Sequence, residues 1–339
     1  MLARTISHEI FQQIAMIFNY ENERETGRKN MKEIKVVELF GGIGSIRKAM
    51  INLKINFRVL DYVEKDANAV KSYNALYNEN YIPKDIRCYS LPDEKIDILM
   101  HGSPCQDISI AGKMEGAFPG SGTRSSLLWE TVRIVSECKR KPQIIIWENV
   151  QNVLSKNFEF IFYDYLDELS NLGYTSSWKV LSPIDFGIPQ TRPRLFCVSA
   201  RGNTKFNFSN LKNLPMKNLD DFLEENPGKQ FIISETTIRR LKKYHRLRII
   251  DKYAYTITTK QACNYIGYIR VKDDCYRSLS TIEVCRLMGF SDDDFKVLSN
   301  LHTTKQNQIS TILHRQFGNA IVVNILEAII YECKRSILT

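Results

Sequence analysis

The sequence lacks long apolar runs, paired cysteines and an apolar leader, and each absence excludes a class of protein. No segment approaches the run of about 20 apolar residues that a membrane-spanning helix requires. The amino-terminal segment has no apolar core followed by a small-residue cleavage site, so we expect no secretory signal and a cytoplasmic location. The 8 cysteines form no CxxC pair, which argues against a zinc site and, in a cytoplasm, predicts reduced thiols.

Positive charge is in excess, and part of it is concentrated in one stretch. The 339 residues carry a formal net charge of +9, and 43% are hydrophobic, enough for a core in one large domain or in a large and a small one. Seven of the cations lie within residues 238–253, interleaved with Tyr244, His245 and Tyr253. Such a stretch is either the solvated face of a helix or a surface that contacts phosphates.

A glycine-rich turn between a predicted strand and a predicted helix is the first candidate site. Residues 34–40 predict a strand, and Gly41-Gly42-Ile43-Gly44 follow it. In such a turn the backbone can approach a ligand closely, with helix N–H groups pointing at it. A second predicted strand, 58–64, ends in Glu64 at the spacing of about 20 residues where a carboxylate reaches ribose hydroxyls. The short turn favours adenosine without a pyrophosphate, and a purely structural βαβ unit is the alternative.

Cys105 is the candidate nucleophile. It follows a predicted buried strand, 96–100, within the stretch Gly102-Ser103-Pro104-Cys105-Gln106, and a glycine-containing loop continues to Arg124. A cysteine just beyond the carboxyl end of a strand lies where open α/β sheets bind ligands, and the loop could close over a substrate. The alternative is a small buried apolar residue, which is the common role of a free cysteine.

Three further side chains follow or enter predicted buried strands. Glu148 ends the strand that begins at residue 143, where a buried carboxylate needs a partner or a function, and burial would let it hold a proton. Arg192 and Arg194 immediately precede the predicted strand 195–200, and the alternative is that their side chains extend to an anion at the surface.

Residues 316–320 are predicted to open a final apolar helix over 321–331.

One chemistry uses a cysteine, a carboxylic acid and a glycine turn together. The C5 carbon of cytosine is a poor nucleophile until a thiolate adds at C6. An acid at N3 stabilises the charge that develops, and the resulting enamine can take a methyl group from a sulfonium donor. Loss of the C5 proton and expulsion of the thiolate then restore the ring.

The sequence resembles the C5-cytosine DNA methyltransferases, and the matching motifs keep the family order from residue 34 to residue 330. Phe40–Gly44 resembles the family's FxGxG turn for S-adenosylmethionine, and Ser103-Pro104-Cys105-Gln106 resembles the nucleophile motif. The remaining matches are Glu148-Asn149-Val150 with the ENV motif, Gln190-Thr191-Arg192-Pro193-Arg194 with QxRxR, Arg277, Glu283, Arg286 and Gly289-Phe290 with the motif before the last helix, and Gly318-Asn319 with the terminal motif.

The resemblance implies an α/β fold with a Rossmann-like, S-adenosylmethionine-dependent methyltransferase sheet, mixed and seven-stranded, and a second, smaller target recognition domain. We expect a peripheral extension over residues 1–33, or a natural start at Met31. A catalytic and cofactor-binding domain would follow over 34–202, then a target recognition domain over 203–275. Residues 276–339 would return to the catalytic domain and complete it with the last helix.

The resemblance also assigns roles to residues. Cys105 would attack C6, Glu148 would contact N3 and the amino group, Arg194 would hold the base carbonyl, and Arg192 would support the pocket and the nucleophile. The residues implied for the cofactor, S-adenosylmethionine without a metal, are Phe40, Gly41, Gly42, Ile43, Gly44, Glu64, Asp85, Ile86, Ser103 and Asn319. The residues implied for DNA are Gln106, Ser109, Lys113, Arg124 and Thr256.

The implied substrate is double-stranded DNA with the target cytosine flipped out of the helix. We expect a monomer without membrane contact, and a cognate restriction endonuclease acting separately is the partner that the family suggests.

Other functions explain fewer of the residues. RNA methyltransferases of the same fold carry a Cys-Phe-Thr tripeptide where this chain has Cys263-Asn264-Tyr265. Methylation of an exocyclic amino group needs no thiol, and a catalytically silent DNA-binding protein would not keep every chemical position filled. A nicotinamide oxidoreductase would explain the glycine turn and Glu64 but leave Cys105 and Glu148 without a role.

Overall fold

The computed structural model describes residues 32–104, 125–259, 267–305 and 308–338. The predicted amino-terminal extension falls almost entirely outside these residues. The elements of the first two thirds, in chain order, are β1 Ile34–Leu39, α1 Ser45–Asn52, β2 Phe57–Val63, α2 Ala67–Tyr77, β3 Ile98–His101, α3 Leu128–Glu137, β4 Ile144–Val150, α4 Glu159–Asn171, β5 Tyr174–Leu181 and β6 Arg194–Arg201. Those that follow are α5 Glu235–Lys243, β7 Ile269–Lys272, β8 Cys275–Arg277, α6 Thr281–Leu287, α7 Asp292–Leu301, α8 Thr311–Asn319 and α9 Val323–Ser336.

A mixed sheet with helices on both faces forms the centre of the molecule. Its strand order is β2-β1-β3-β4-β6-β5, in which the first four strands are parallel and β6 is antiparallel to both of its neighbours. The apolar run at the start of β4 is buried, as expected for a parallel strand covered on both faces. One large core cluster includes residues of α1 and α9, and a second includes residues of α3 and α4. The predicted α/β class is confirmed.

The main sheet has six strands among the described residues and not the expected seven, which corrects the prediction. The described residues place six strands in the main sheet, and residues 78–97, between α2 and β3, contain only the short 3-10 helix Ile86–Cys88. Pro83 in this segment has no N–H for a ladder, and Asp85 caps the 3-10 turn by accepting from the Arg87 N–H. Local side-chain capping therefore replaces an edge strand here.

The terminal Gly318-Asn319 motif does not open the last helix as predicted but closes the helix before it. Ser310 caps α8 by accepting from the Leu313 N–H, and α8 ends at Asn319. The last helix, α9, begins only at Val323 and extends to Ser336, with Lys334 and Arg335 in its final turn. Cations at a helix carboxyl end interact favourably with its dipole, which accounts for the extension beyond residue 331.

Residues between β6 and α6 contribute to two different clusters. Phe206, Phe208 and Leu219 pack into the large core cluster that contains α9. Ile238 and Leu241 of α5 instead pack with Tyr268 and Tyr276 in a small separate cluster beside the β7–β8 pair. Within the described ranges, no helix is both long and apolar enough to span a membrane.

Candidate active site

The carboxyl ends of three adjacent parallel strands meet at one edge of the sheet. Leu39 of β1, His101 of β3 and Trp147 of β4 lie side by side in the strand register. Because β6 runs in the opposite direction, its first residue, Arg194, pairs with Val150 at the end of β4. The glycine turn, the stretch that begins at Gly102, Glu148 and the arginine pair therefore converge at the edge where open α/β sheets bind ligands.

The glycine turn is a compact loop between β1 and α1. Phe40 adopts a positive φ of 53°, and Gly41 donates from its backbone N–H to Val63 O at 3.2 Å. Gly44 closes the turn by donating to Gly41 O at 2.9 Å and occupies the N-cap position of α1 with a φ of 80°. The N-cap residue Gly44 has no side chain to cap the first turn of α1. The N–H groups of that turn are therefore suited to binding a polar ligand.

Glu64 is held against this turn. Its Oε2 atom accepts from the Gly42 N–H at 3.2 Å, and its Oε1 atom accepts from the N–H groups of Lys65 and Asp66 at 2.7 and 2.8 Å. Desolvation raises the pKa of the Glu64 carboxyl, although these three backbone hydrogen bonds oppose the shift. The carboxylate is thus oriented by the backbone on both sides of the turn.

Asp85 lies at the surface next to two cations. Its carboxylate accepts from Arg87 Nη2 at 2.6 Å and from Lys65 Nζ at 2.8 Å, while Ile86 beside it is buried. These hydrogen bonds hold the pKa of Asp85 well below its ordinary value. Asp85 therefore stays ionised and can accept a hydrogen bond from a ligand amino group.

Ser103 is buried and fixed by two residues of β4. Its Oγ atom accepts from Trp147 Nε1 at 3.0 Å, and Asn149 Nδ2 lies 3.3 Å from Ser103 O. On the other side, His101 Nε2 lies 2.9 Å from the Tyr165 hydroxyl, and burial lowers the pKa of His101 to about 3. His101 is therefore neutral at physiological pH, and the backbone before Cys105 is anchored on buried groups.

Glu148 and Arg194 form an ion pair beside Gly102. The Arg194 Nε atom lies 3.3 Å from Glu148 Oε1, and the two side chains are only 16% and 12% exposed. An added Cβ at Gly102 would lie 3.7 Å from Glu148 Oε2, so the carboxylate borders the stretch leading to Cys105. Burial raises the pKa of the Glu148 carboxyl, and the charges of Arg194 and Arg192 oppose the shift. Burial thus favours the protonated form of Glu148, and the two arginines favour the ionised form.

Arg192 binds backbone carbonyls from two distant segments. Its guanidinium donates to Ile257 O, to Gly318 O at 2.9 Å and to Ala320 O at 3.3 Å, and the side chain is buried. Gly318 itself packs against the chain at Thr258, where an added Cβ would come within 2.5 Å of the carbonyl oxygen. Arg192 thereby joins the segment around residue 257 to the end of α8.

Neighbouring residues strengthen the same junction. The Thr256 hydroxyl donates to Thr191 O at 2.7 Å, so its contact within the described residues is to the arginine segment. Buried Gln190 accepts from the Ile257 N–H at 3.2 Å and donates to Leu287 O at 2.8 Å. Asn319, at the end of α8, is exposed and can face solvent or a ligand.

Several predicted site residues lie outside the described residues. These are Cys105, Gln106, Ser109, Lys113 and Arg124, together with the Cys263-Asn264-Tyr265 tripeptide. Within the described part of the chain, no group of three or more His, Cys, Asp or Glu side chains could hold a metal ion.

Sequence reasoning missed two sets of residues at this edge. Trp147 binds Ser103 through its indole N–H, and Tyr62 and Tyr77 bind carbonyls of the glycine turn. The helical spacing of Tyr73 and Tyr77 indicates one shared face of α2, but the partner of that face could not be identified from sequence.

A family model for C-5 cytosine-specific DNA methylases matches residues 34–266 and 225–335, which together span most of the chain. The chain belongs to this family. It is therefore a DNA (cytosine-5) methyltransferase, and the resemblance drawn from the motifs is confirmed.

Two relatives of this methylase are named type II methyltransferases. M2.ScrFI of Lactococcus lactis subsp. cremoris is 29% identical over 374 residues, covering 89% of this chain and 99% of that protein. M.HaeII of Haemophilus aegyptius is 32% identical over 321 residues, covering 88% of this chain and 92% of that protein. Among solved structures, the Dnmt2 methyltransferase of S. pombe superposes with a TM-score of 0.70 at 21% identity, covering 90% of this chain and 99% of that one. At that identity the likeness shows the fold alone.

Proposed function

We propose that this methylase transfers a methyl group from S-adenosylmethionine to C5 of a flipped-out cytosine in a specific double-stranded DNA sequence, through a covalent bond between Cys105 and C6. The observation that carries the proposal is the nearly buried Glu148–Arg194 pair beside Gly102, three residues before Cys105. Such a pair offers a proton and a fixed cation at the place where a cytosine ring would meet the thiolate.

Each proposed catalytic residue has a separate role at the cytosine ring. The Cys105 thiolate adds to C6, the π pair of the C5–C6 bond shifts to form a C4–C5 double bond, and the displaced C4–N3 pair takes a proton from Glu148 at N3. Arg194 holds the base carbonyl through its guanidinium, and Arg192 supports the pocket through the backbone carbonyls it binds. After C5 has taken the methyl group, a base removes the C5 proton, the C5–C6 double bond re-forms as the thiolate leaves, and the N3 proton returns to Glu148.

The residues at the glycine turn fit the proposed cofactor. When bound, S-adenosylmethionine supplies an electrophilic methyl group. We assign the turn Phe40–Gly44 to its amino-acid part, Glu64 to the ribose hydroxyls and Asp85 with Ile86 to the adenine. Ser103 and Asn319 complete this assignment. The geometry of the turn supports the assignment, because backbone hydrogen bonds orient the Glu64 carboxylate against the turn.

DNA would be bound by the loop after Cys105 and by the recognition region, residues 203–275. In the loop, Gln106, Ser109, Lys113 and Arg124 would contact DNA, and Thr256 would do so from the recognition region. The exposed cations of α5, among them Arg240 and Lys243, support this role because phosphates attract such a face. We further propose that the enzyme works as a monomer in the cytoplasm, with any cognate endonuclease acting separately.

Trapping tests the proposal directly. A DNA duplex that contains 5-fluorocytosine at the target position cannot lose a C5 proton, so the wild-type enzyme should remain crosslinked to it when methyl donor is present. The target site is found first by bisulfite sequencing of plasmid DNA from expressing cells. The Cys105→Ser variant should bind S-adenosylmethionine like the wild type and form no crosslink.

Two results would overturn the proposal. If the wild-type enzyme methylates its site yet leaves no covalent complex on the fluorinated duplex, the thiol addition is wrong. If methyl groups go to tRNA and not to duplex DNA, the substrate is wrong.

A further inference from the structure

Four tyrosines form a cluster beneath the glycine turn. Tyr62 of β2 and Tyr73 of α2 are fully buried, with stacked rings whose centroids are 3.8 Å apart. Tyr77 packs edge-on against Tyr73 at 4.8 Å, and Tyr81 lies 5.3 Å from Tyr62. We call these residues the tyrosine floor, and none of them has a role in the proposed chemistry.

Two hydroxyls of the tyrosine floor bind the turn itself. Tyr62 donates to Gly42 O at 2.7 Å, and Tyr77 donates to Gly44 O at 2.8 Å while lying 3.2 Å from Ile43 O. In a planar trans peptide the carbonyl and the next N–H point in opposite directions. Carbonyls held against the floor therefore turn the N–H groups of Ile43 and Ser45 to the opposite side of the turn.

The rings also determine which residues the turn can contain. An added Cβ at Gly41 would lie 2.6 Å from the Tyr62 ring, and one at Gly44 would lie 2.5 Å from the Tyr77 ring. Neither ring is free to move, because both belong to the packed cluster. The glycines and the tyrosines thus fit each other sterically as well as through hydrogen bonds.

The third tyrosine fixes the floor to the surrounding elements. The Tyr73 hydroxyl donates to Glu38 Oε1 at 2.7 Å and accepts from Arg47 Nη1 at 3.2 Å. Arg47 lies in the first turn of α1, lies over the Tyr77 ring at 4.8 Å and forms an ion pair with Glu79 at 2.7 Å. The floor is therefore tied to β1 and α1, the two elements that the glycine turn connects.

We propose that Tyr62 and Tyr77 are positioning residues for the methyl donor: their hydroxyls preorganise the glycine turn so that its N–H groups are aimed at the cofactor before it binds. This inference rests on the proposed function, since it concerns the same cofactor site. Preorganisation lowers the cost of ordering the turn on binding, so removing it weakens donor affinity and leaves the chemistry on the base unchanged.

The test compares Tyr62→Phe, Tyr77→Phe and the double variant with the wild type. Each single variant keeps the ring and removes one hydrogen bond, so the Kd for S-adenosylmethionine, measured by calorimetry, should rise about three- to tenfold. The double variant should bind more weakly than either single variant. The KM for the donor should rise in parallel, while kcat at saturating donor and the KM for DNA stay at wild-type values.

Tyr81→Phe is the matched control. Tyr81 belongs to the same cluster, but its hydroxyl makes no hydrogen bond among the described residues, so donor affinity should not change. Thermal unfolding of every variant separates a folding defect from a binding defect. If the double variant fails to fold, the two single variants carry the test.

The results distinguish this inference from the proposed function. Wild-type affinity for the donor in Tyr62→Phe and Tyr77→Phe overturns the positioning role alone, and so does a loss of kcat without a change in donor KM. If the wild-type enzyme itself does not bind S-adenosylmethionine, the proposed function fails instead.

Discussion

The Glu148 carboxyl is largely buried, and its pKa depends on the charges of its neighbours. Burial raises its pKa, and the Arg194 guanidinium 3.3 Å away limits the rise. A carboxyl balanced in this way can be protonated in one step of a reaction and ionised in another. The amide of glutamine can donate a hydrogen bond at N3 but cannot transfer a proton.

Changing Glu148→Gln should therefore lower kcat by about 100-fold or more, a typical contribution of acid–base catalysis. DNA affinity should fall only modestly, because phosphate contacts dominate it. Single-turnover methylation and a filter-binding assay measure the two effects. Glu168→Gln, at an exposed position of α4, is the control and should be fully active. A Glu148→Gln enzyme with wild-type turnover would remove this residue from the mechanism.

Glu38 is a second buried carboxyl with a raised pKa. It is buried in β1, its Oε2 atom has no hydrogen-bond partner among the described residues, and burial raises its pKa from 4.5 to about 7 despite the bond from Tyr73. The folded state therefore binds a proton that the unfolded state has already released between these two pH values. This contribution to stability is fully present below pH 4.5 and is lost as the pH rises to about 7.

Glu38→Gln imitates the protonated form and should remove this dependence. Relative to the variant, the wild type should lose up to about 3 kcal/mol of unfolding free energy between pH 4.5 and pH 7. Urea titrations of both proteins across that range measure the difference. A constant difference between the two proteins would show that Glu38 does not titrate there.

The positions of several candidate residues could be predicted, because each motif is local. Short stretches next to predicted strands identify the glycine turn, Glu64, Ser103 and Glu148, and the structure places them at one sheet edge. The bonds of Arg192 could not be predicted, since Ile257 and Gly318 are far away in the chain. The roles of all these residues in binding or catalysis remain predictions.

At the scale of elements, the junction between residues 256–259 and the end of α8 depends on a glycine, Gly318, which has no side chain. At Gly318 an added Cβ would come within 2.5 Å of Thr258 O and 2.8 Å of Thr259 N, both backbone atoms that cannot rotate away. The Gly318 carbonyl is also bound by Arg192. Two segments thus approach each other as closely as backbone atoms allow.

Gly318→Ala should accordingly destabilise the protein by about 1–3 kcal/mol, the usual cost of overpacking. The matched control is Gly228→Ala, where the three nearest atoms all belong to the flexible side chain of Gln230, and its effect should be small. Thermal unfolding of both variants tests this. Equal midpoints would mean that the junction tolerates a methyl group.

Strands and helices with strong local patterns can be predicted well, whereas their number and junctions cannot. The strand predicted over residues 34–40 is observed as β1, Ile34–Leu39. The lack of a strand in the described segment 78–97 and the separation of α8 from α9 depend on Pro83, on the Asp85 cap and on the contact at Gly318, which outweigh local propensity. Tertiary contacts decide such cases.

At the scale of the whole molecule, charge is distributed unevenly along the chain. Arg240 and Lys243 of α5 are exposed, in the region that we assign to DNA recognition. Lys139 and Arg140 are also exposed but precede β4, at the opposite edge of the sheet from the candidate site, and both approach Asp93. The two pairs carry the same charge in different places.

Removing the α5 pair with Arg240→Gln and Lys243→Gln should weaken DNA binding at every sequence. The slope of log K against log salt concentration should become shallower by about 0.9 for each phosphate that the variant no longer neutralises. The control, Lys139→Gln with Arg140→Gln, removes the same net charge and should leave the slope unchanged. Identical slopes for the two double variants would attribute the effect to total charge and not to a DNA-binding surface.

The junction between residues 256–259, Arg192 and Gly318 also limits how this enzyme can acquire a new target sequence. In the proposed recognition region, a stretch transplanted from a relative should end before Ala254 and resume after Thr259, since Ala254 and Thr256 are hydrogen-bonded to the segment that carries Arg192, and Thr258 packs against Gly318. A change of specificity therefore involves two separate segments, one before Ala254 and one after Thr259, while the stretch between them is kept.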